Sequence, residues 1–338
     1  MSMPLEAPNL FFFEVGQWWD FAMLFLVIAV LATLAWLAIR FKWAAIALFI
    51  VIPVLLTIFW WPHSIPGTQS EGWFAIAKQY SALAGSLCLV ALQYFPKLRR
   101  NRFYLLIPPI ILSINILEAV IRDFQCYSLH GNVNNGMWVW GGPWNIMNGI
   151  AGILNLLMIA GWTGIYVSKT NRHIIWTDLT IGWIIAYDLW NVAYCYNCLS
   201  DRAWYSGVAL LLSCTIPAFM VMGRGAWIQY RAYTLTFWSA FVLSFPHFTQ
   251  DSMFSHVASQ NHAALFLLSF LALASNAGLA IYHVWRIVKT KRNPFKTELY
   301  ADLPQNVKII RRTATDEVKE RIAARLGKTP QELGFWTN

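Results

Sequence analysis

The chain has 338 residues, of which 58% are hydrophobic and only 12% charged. A soluble domain carries roughly 25% charged residues. An ordinary soluble enzyme, a disordered chain and a nucleic-acid-binding module are therefore excluded, despite a formal net charge of +9, and a multi-span membrane protein remains.

A helix needs about 20 apolar residues to cross a hydrocarbon core. Runs that are continuously apolar rather than alternating select helices over barrel strands. In chain order the qualifying runs are Trp19–Phe41, Trp43–Trp61, Trp73–Phe95, Phe103–Phe124, Trp144–Ser168, Ile174–Asn197, Ala203–Gly223, Ala226–Pro246 and Ala258–Val288. The expected fold class is an all-α polytopic bundle of about nine spans (19–292), with a segment at 1–18 before it and a basic tail at 293–338 after it. The first run has no preceding basic region, which predicts a retained span rather than a cleaved signal. Pro53, Pro108, Pro109 and Pro217 fall inside runs and predict kinks or free carbonyls. The 19 Trp residues suggest interfacial belts, where an amphipathic ring has its polar edge satisfied.

Basic residues set the orientation. Arg40 and Lys42, Lys97 to Arg102, Lys169 and Arg172, Arg224 and Arg231, and the cluster from Arg286 to the end together hold 22 of the 25. All fall on one side of a nine-span arrangement. Arg122 and Arg202 fall on the other, and Lys78 lies within a span. The expectation is an outer N-terminus, a cytoplasmic tail and residence in a bacterial plasma (inner) membrane, with the lipid bilayer as a partner and no nucleic acid. On the outer side, Gln125–Pro143 is long and rich in Asn, Gly and Trp, fitting either a binding loop or an interfacial anchor.

Ionisable groups inside a span cost about 2.5–3.5 kcal/mol at a helix centre on insertion scales. Four spans carry them or amides at helical spacing: Lys78, Gln79 and Ser81; Asn115, Glu118 and Arg122, with Asp123 beside them; Asn145, Asn148 and Asn155; Asp188 and Asn191, followed by Cys195 and Cys198. Alternating helix direction places these stripes in a polar funnel open to the outside and ending near mid-membrane. Glu118 and Asp188 are the candidate catalytic groups, with Lys78, Asn115, Arg122, Asn145, Asn148, Asn155 and Asn191 as candidate substrate ligands. Lys78 is expected within ion-pair reach of Glu118 or Asp188. The alternative is that these groups join helices by hydrogen bonds, each worth about 0.6 kcal/mol in membranes.

Cys126, Cys195 and Cys198 fall at the outer side, where a disulfide is permitted; at least one of Cys195 and Cys198 is expected to be oxidised. The five cysteines are too scattered for structural zinc, and no metal is assigned. His247, His256 and His262 cluster at the outer ends of the last two spans, a poor arrangement for paired haem ligands. The last span has no mid-helix lysine for a retinal Schiff base. No cofactor is identified. In the tail, Thr315 can cap a helix that carries Asp316 and Glu317 in its first turn, Arg321 and Arg325 in its last, and Gly327 as its stop. Val318, Ile322 and Leu326 form one apolar stripe on it. Thr329 and Glu332 form a capping box with Pro330.

The stretches Ser113–Asp123, Gly142–Gly149 and Ala186–Tyr194 resemble a family of bacterial integral membrane proteins to which no activity attaches. A fainter likeness links the chain to membrane-bound terpene cyclases, which carry an Asn-x-x-Trp-Glu-like motif. Here Asn115–Glu118 lacks the Trp, and Asp188–Asn191 has Trp190 but no Glu. The leading functional expectation is a transporter or channel for a small polar or charged solute. The alternative is an intramembrane enzyme acting on a lipid or isoprenoid, with Glu118 or Asp188 as general acid and aromatic faces stabilising a cation. A sensor or assembly protein comes third.

Overall fold

A computed structural model describes residues 17–133, 137–199, 202–221, 223–256, 258 and 260–336. The expected N-terminal segment and Asn134–Gly136 of the long loop fall largely or wholly outside these residues. Helices dominate, and six are long and apolar enough to cross a membrane. These are α1 (Trp18–Arg40), α2 (Lys42–Ser64), α3 (Trp73–Tyr94), α4 (Arg102–Cys126), α7 (Ala203–Met220) and α9 (His262–Thr290). Three further helices occupy the other expected runs: α5 (Pro143–Leu157), α6 (Ile181–Cys198) and α8 (Trp227–Ser244). Two short helices, α10 (Pro304–Thr313) and α11 (Asp316–Arg325), lie in the tail.

Consecutive long helices run in opposite directions. One end of the bundle gathers the tail; the other carries the 65–72 connection, where Arg202 donates to Ser70, and an antiparallel pair of β1 (His130–Val133) and β2 (Met137–Trp140). The described residues of the loop expected between the fourth and fifth runs thus include two paired strands. Its strand β2 is fixed when Trp140 N–H donates to Gln260 Oε1 at 3.1 Å.

Helices α4, α5, α6 and α9 pack together, α3 and α7 each pack on α8, and α1 lies against α7 and α8. Polar side chains join these elements. Ser86 and Thr236 share a 2.8 Å hydrogen bond between α3 and α8, and Gln93 Nε2 donates to the Ile39 carbonyl at 2.7 Å.

The prolines act in three ways. Around Pro53 the helix widens into π turns at Ala47–Val51 and Leu56–Trp60. Proline removes one ladder donor and crowds the carbonyl four residues back, and a π register relieves both. Pro108 and Pro109 fall in the first turn after a break at Leu106, where the N–H has no helical acceptor to lose. Pro217 remains inside α7.

The fifth and sixth expected runs are only partly helical. Helix α5 stops at Leu157 and α6 starts at Ile181, and between them lie loops and the short pair β3 (Tyr166–Val167) and β4 (Ile174–Ile175). Gly161 turns the chain at φ +64°, and a Cβ there would fall 2.7 Å from Asp178 Oδ2. That carboxylate accepts the Leu299 N–H at 2.6 Å and the Tyr300 N–H at 3.3 Å. The apolar residues between the helices cover the docked tail instead of continuing a helix.

The tail packs on the bundle. Lys169 N–H donates to the Thr313 carbonyl at 2.8 Å, Asn306 Nδ2 to the Thr177 carbonyl at 3.0 Å, and Arg325 pairs with Glu298. Thr315 caps α11, and Gly327 follows it at φ +65°. Ile322 is buried, with Val318 and Leu326 packed beside it. Thr329 and Glu332 form their reciprocal pair around a turn, not a helix.

The tryptophans divide. Trp18, Trp43 and Trp73 are about three-quarters exposed near helix ends, whereas Trp176, Trp183, Trp190 and Trp227 are fully buried core residues. The belt expectation therefore describes only part of the set.

Candidate functional site

A cavity of about 480 Å³ opens at the end of the bundle opposite the tail. Gln69, Glu71, Arg122, Gln125 and Arg202 surround its mouth, and Asn115, Tyr187, Leu235 and Arg231 line its deep end. This volume suits a small molecule.

Helix geometry decides which predicted residues reach it. At 100° per residue, Asn115, Ala119 and Arg122 share one face of α4, and all three line the cavity. Glu118 stands at the edge of that face, where its Oε2 accepts from Lys78 Nζ at 3.2 Å; Lys78 also donates to the Asn115 carbonyl at 3.1 Å. Lys78 thus has the acidic partner expected of it. On α6 the cavity stripe is Tyr187, Asn191, Tyr194 and Cys195.

Asp188 is one residue out of that stripe. Its Oδ2 accepts from Thr215 Oγ1 at 2.9 Å, and Thr215 in turn accepts from Trp227 Nε1 at 3.0 Å. The two candidate acids therefore occupy different surroundings, and the single-cavity expectation fails for Asp188.

It fails also for the asparagines of α5. Asn148 Nδ2 donates to Asp123 Oδ2 at 2.7 Å and Asn145 Nδ2 to Asp123 Oδ1 at 3.4 Å, in a knot with no solvent exposure. Asn155 Nδ2 donates to Asn276 Oδ1 at 3.1 Å, while its carbonyl accepts from Trp183 Nε1. These amides join helices, as in the alternative reading.

The cysteines require a second correction: all five are free, buried thiols. Cys198 donates to Asp123 Oδ1 at 3.3 Å and lies against Cys126. Cys195, three residues earlier and hence about 60° away around the helix, faces the cavity. Among the described residues no group of three His, Cys, Asp or Glu side chains could hold a metal. His262 is packed between Trp140 and Trp144, and His256 against Trp204.

The residue that composition hid is Arg231. Grouped by its sequence position with the basic connections, it belongs instead to α8, five residues in, and is only 5% exposed. Its Nε donates to Tyr187 Oη at 3.1 Å, and its guanidinium lies over the Tyr187 ring at 5.7 Å. Nη1 has no partner. The available signal was spacing: Arg231 is one helical turn beyond Trp227, inside an apolar run.

The chain belongs to a family of unknown function, DUF5692, whose family model matches residues 14–312. No curated protein and no solved structure matches it.

Proposed function

We propose that this member of the DUF5692 family is a nine-span protein of a bacterial plasma membrane, with its N-terminus outside and its tail in the cytoplasm. In this reading it admits a small polar or charged solute from outside and works as a transporter or channel. The carrying observation is the one-ended cavity, polar from Arg122 and Arg202 at its mouth to Asn115 and Arg231 at its floor.

Three crossings in this arrangement, α5, α6 and α8, are shorter or more polar than lone spans. Their packing against the apolar helices supports the assignment, because a helix enclosed by protein meets little lipid and can carry groups such as Arg231 or Asn148. Irregular backbone at 158–180 is tolerated at membrane depth where protein covers it, and Ile165, Ile174 and Trp176 there are buried. The concentration of Lys and Arg at the tail end supports the orientation.

The test is electrical or isotopic flux in proteoliposomes presented with a panel of small carboxylates, phosphates, amines and sugars. Flux of at least one that is lost on blocking Cys195 supports transport. No flux for any class, with cavity access intact, removes the reading.

A specific feature favours the enzyme as the second reading. A small apolar annex of about 40 Å³ between α3, α4 and α8 shares Asn115, Tyr187, Leu235 and Arg231 with the cavity. A ligand with an apolar part could extend into it past Asn115. Chemical change in a lipid extract, dependent on Glu118, would select that reading over transport.

A further inference from the structure

We propose that the cavity is an oxyanion site: its ligand carries a carboxylate or phosphate group bound at the floor by Arg231. This deepens, and rests on, the reading of the cavity as a solute site. Two observations point the same way.

The first is charge. Lys78, Arg122, Arg202 and Arg231 line the cavity, against Glu71 at its mouth. Glu118 compensates Lys78 through their ion pair. Among the described residues Arg231 has no carboxylate within ion-pair distance; the acid near enough to act on it through space is Asp188, which is engaged by Thr215. The floor of the cavity is therefore cationic.

The second is an unused donor. Arg231 is more than nine-tenths buried and lines the cavity, yet Nη1 donates to nothing. Leaving a buried charged donor unmet is costly. Tyr187 uses Nε and flanks the guanidinium, so the planar group is held with one edge committed. Guanidinium edges match the two oxygens of a carboxylate or phosphate, so an oxyanion entering from the mouth meets a held donor at the floor.

The same chemistry fits a free solute and a lipid headgroup, and the test separates them. Full-length protein in uncharged maltoside micelles is melted while titrated with sodium phosphate or sodium acetate, with sodium chloride at matched ionic strength and glucose as controls. A saturable rise in Tm of about 3–5 °C with phosphate or acetate alone is expected at a hundredfold excess over Kd. It should vanish in Arg231→Gln and persist in Arg102→Gln at the tail end. If Arg231→Gln does not fold, Leu235→Trp fills the floor without removing the charge and should also abolish the rise.

In nanodiscs of phosphatidylcholine, a response to phosphate identifies a free anion as the ligand. A rise seen only when phosphatidylglycerol is included, and lost in the same variants, identifies a headgroup. Equal responses in wild type and both variants, or no response to any anion in either setting, overturn the proposal. Labelling of Cys195 by a small neutral maleimide is measured alongside: access without an anion effect removes the oxyanion assignment and leaves the cavity reading standing, whereas no access removes the cavity reading itself.

Discussion

Lys78 Nζ lies 3.2 Å from Glu118 Oε2, and each side chain keeps about a fifth of its surface exposed. Removing one partner from a buried pair costs about 3–5 kcal/mol because the other charge is stranded, whereas replacing both by apolar groups is often neutral. Partial exposure discounts this to about 1–3 kcal/mol here. Lys78→Met and Glu118→Leu should each destabilise the protein in detergent by that amount, and the double variant should recover most of it. Thermal melts of the four proteins decide; a double variant as weak as the sum of the singles removes the pair from the account.

Gly161 and Asp178 fasten the tail. Gly161→Ala forces a Cβ to within 2.7 Å of Asp178 Oδ2 from a left-handed backbone, a strain of about 1–3 kcal/mol. Asp178→Asn turns one of two acceptors into a donor facing a backbone N–H. Both variants should release the tail while the bundle stays folded. Limited proteolysis near 293–303 reads this out, and unchanged cleavage would show that the tail is held elsewhere.

Glu298 links that contact to pH. Burial raises its carboxyl pKa above the ordinary value of 4.5, and the opposing pull of Arg325 does not cancel it. A raised folded-state pKa means that the folded form holds the proton more tightly. The contribution is complete below pH 4.5 and is lost as pH rises through the folded-state value. Relative to Glu298→Gln, the wild type should therefore lose stability as pH rises over that window. Parallel pH profiles of the two proteins would contradict it.

The thiols should be free. Mass mapping of denatured, unreduced protein should find all five cysteines alkylated, including Cys126 and Cys198. A Cys126–Cys198 bridge in that digest would overturn the hydrogen-bonded arrangement in which Cys198 donates to Asp123.

Much of this is legible in the sequence, because apolar length and helical spacing are local properties. Lys78, Asn115, Arg122 and Asn191 line the cavity, and Glu118 pairs at its edge, since helical phase alone assigns their faces. Phase cannot say which neighbour a face meets. Asp188 differs from Tyr187 by one position and turns to Thr215, while Asn145 and Asn148 turn to Asp123. Those outcomes depend on which helices pack together, which spacing does not encode. The truncation of α5 and α6 depends on Asp178 accepting from a tail more than a hundred residues away. Arg231 was misplaced for a related reason: near a run's edge, charge reads as a connection until packing shows otherwise.

In the proposed arrangement the cavity opens on the membrane face opposite the tail. The most direct measurement of this is labelling of native protein in sealed, right-side-out vesicles with a membrane-impermeant thiol reagent, with sites mapped by mass spectrometry and the tail probed by external protease. The account predicts modification at Cys195, which lines the cavity, and an intact tail. Modification of Cys195 only in inverted vesicles, or cleavage of the tail from outside, would contradict it.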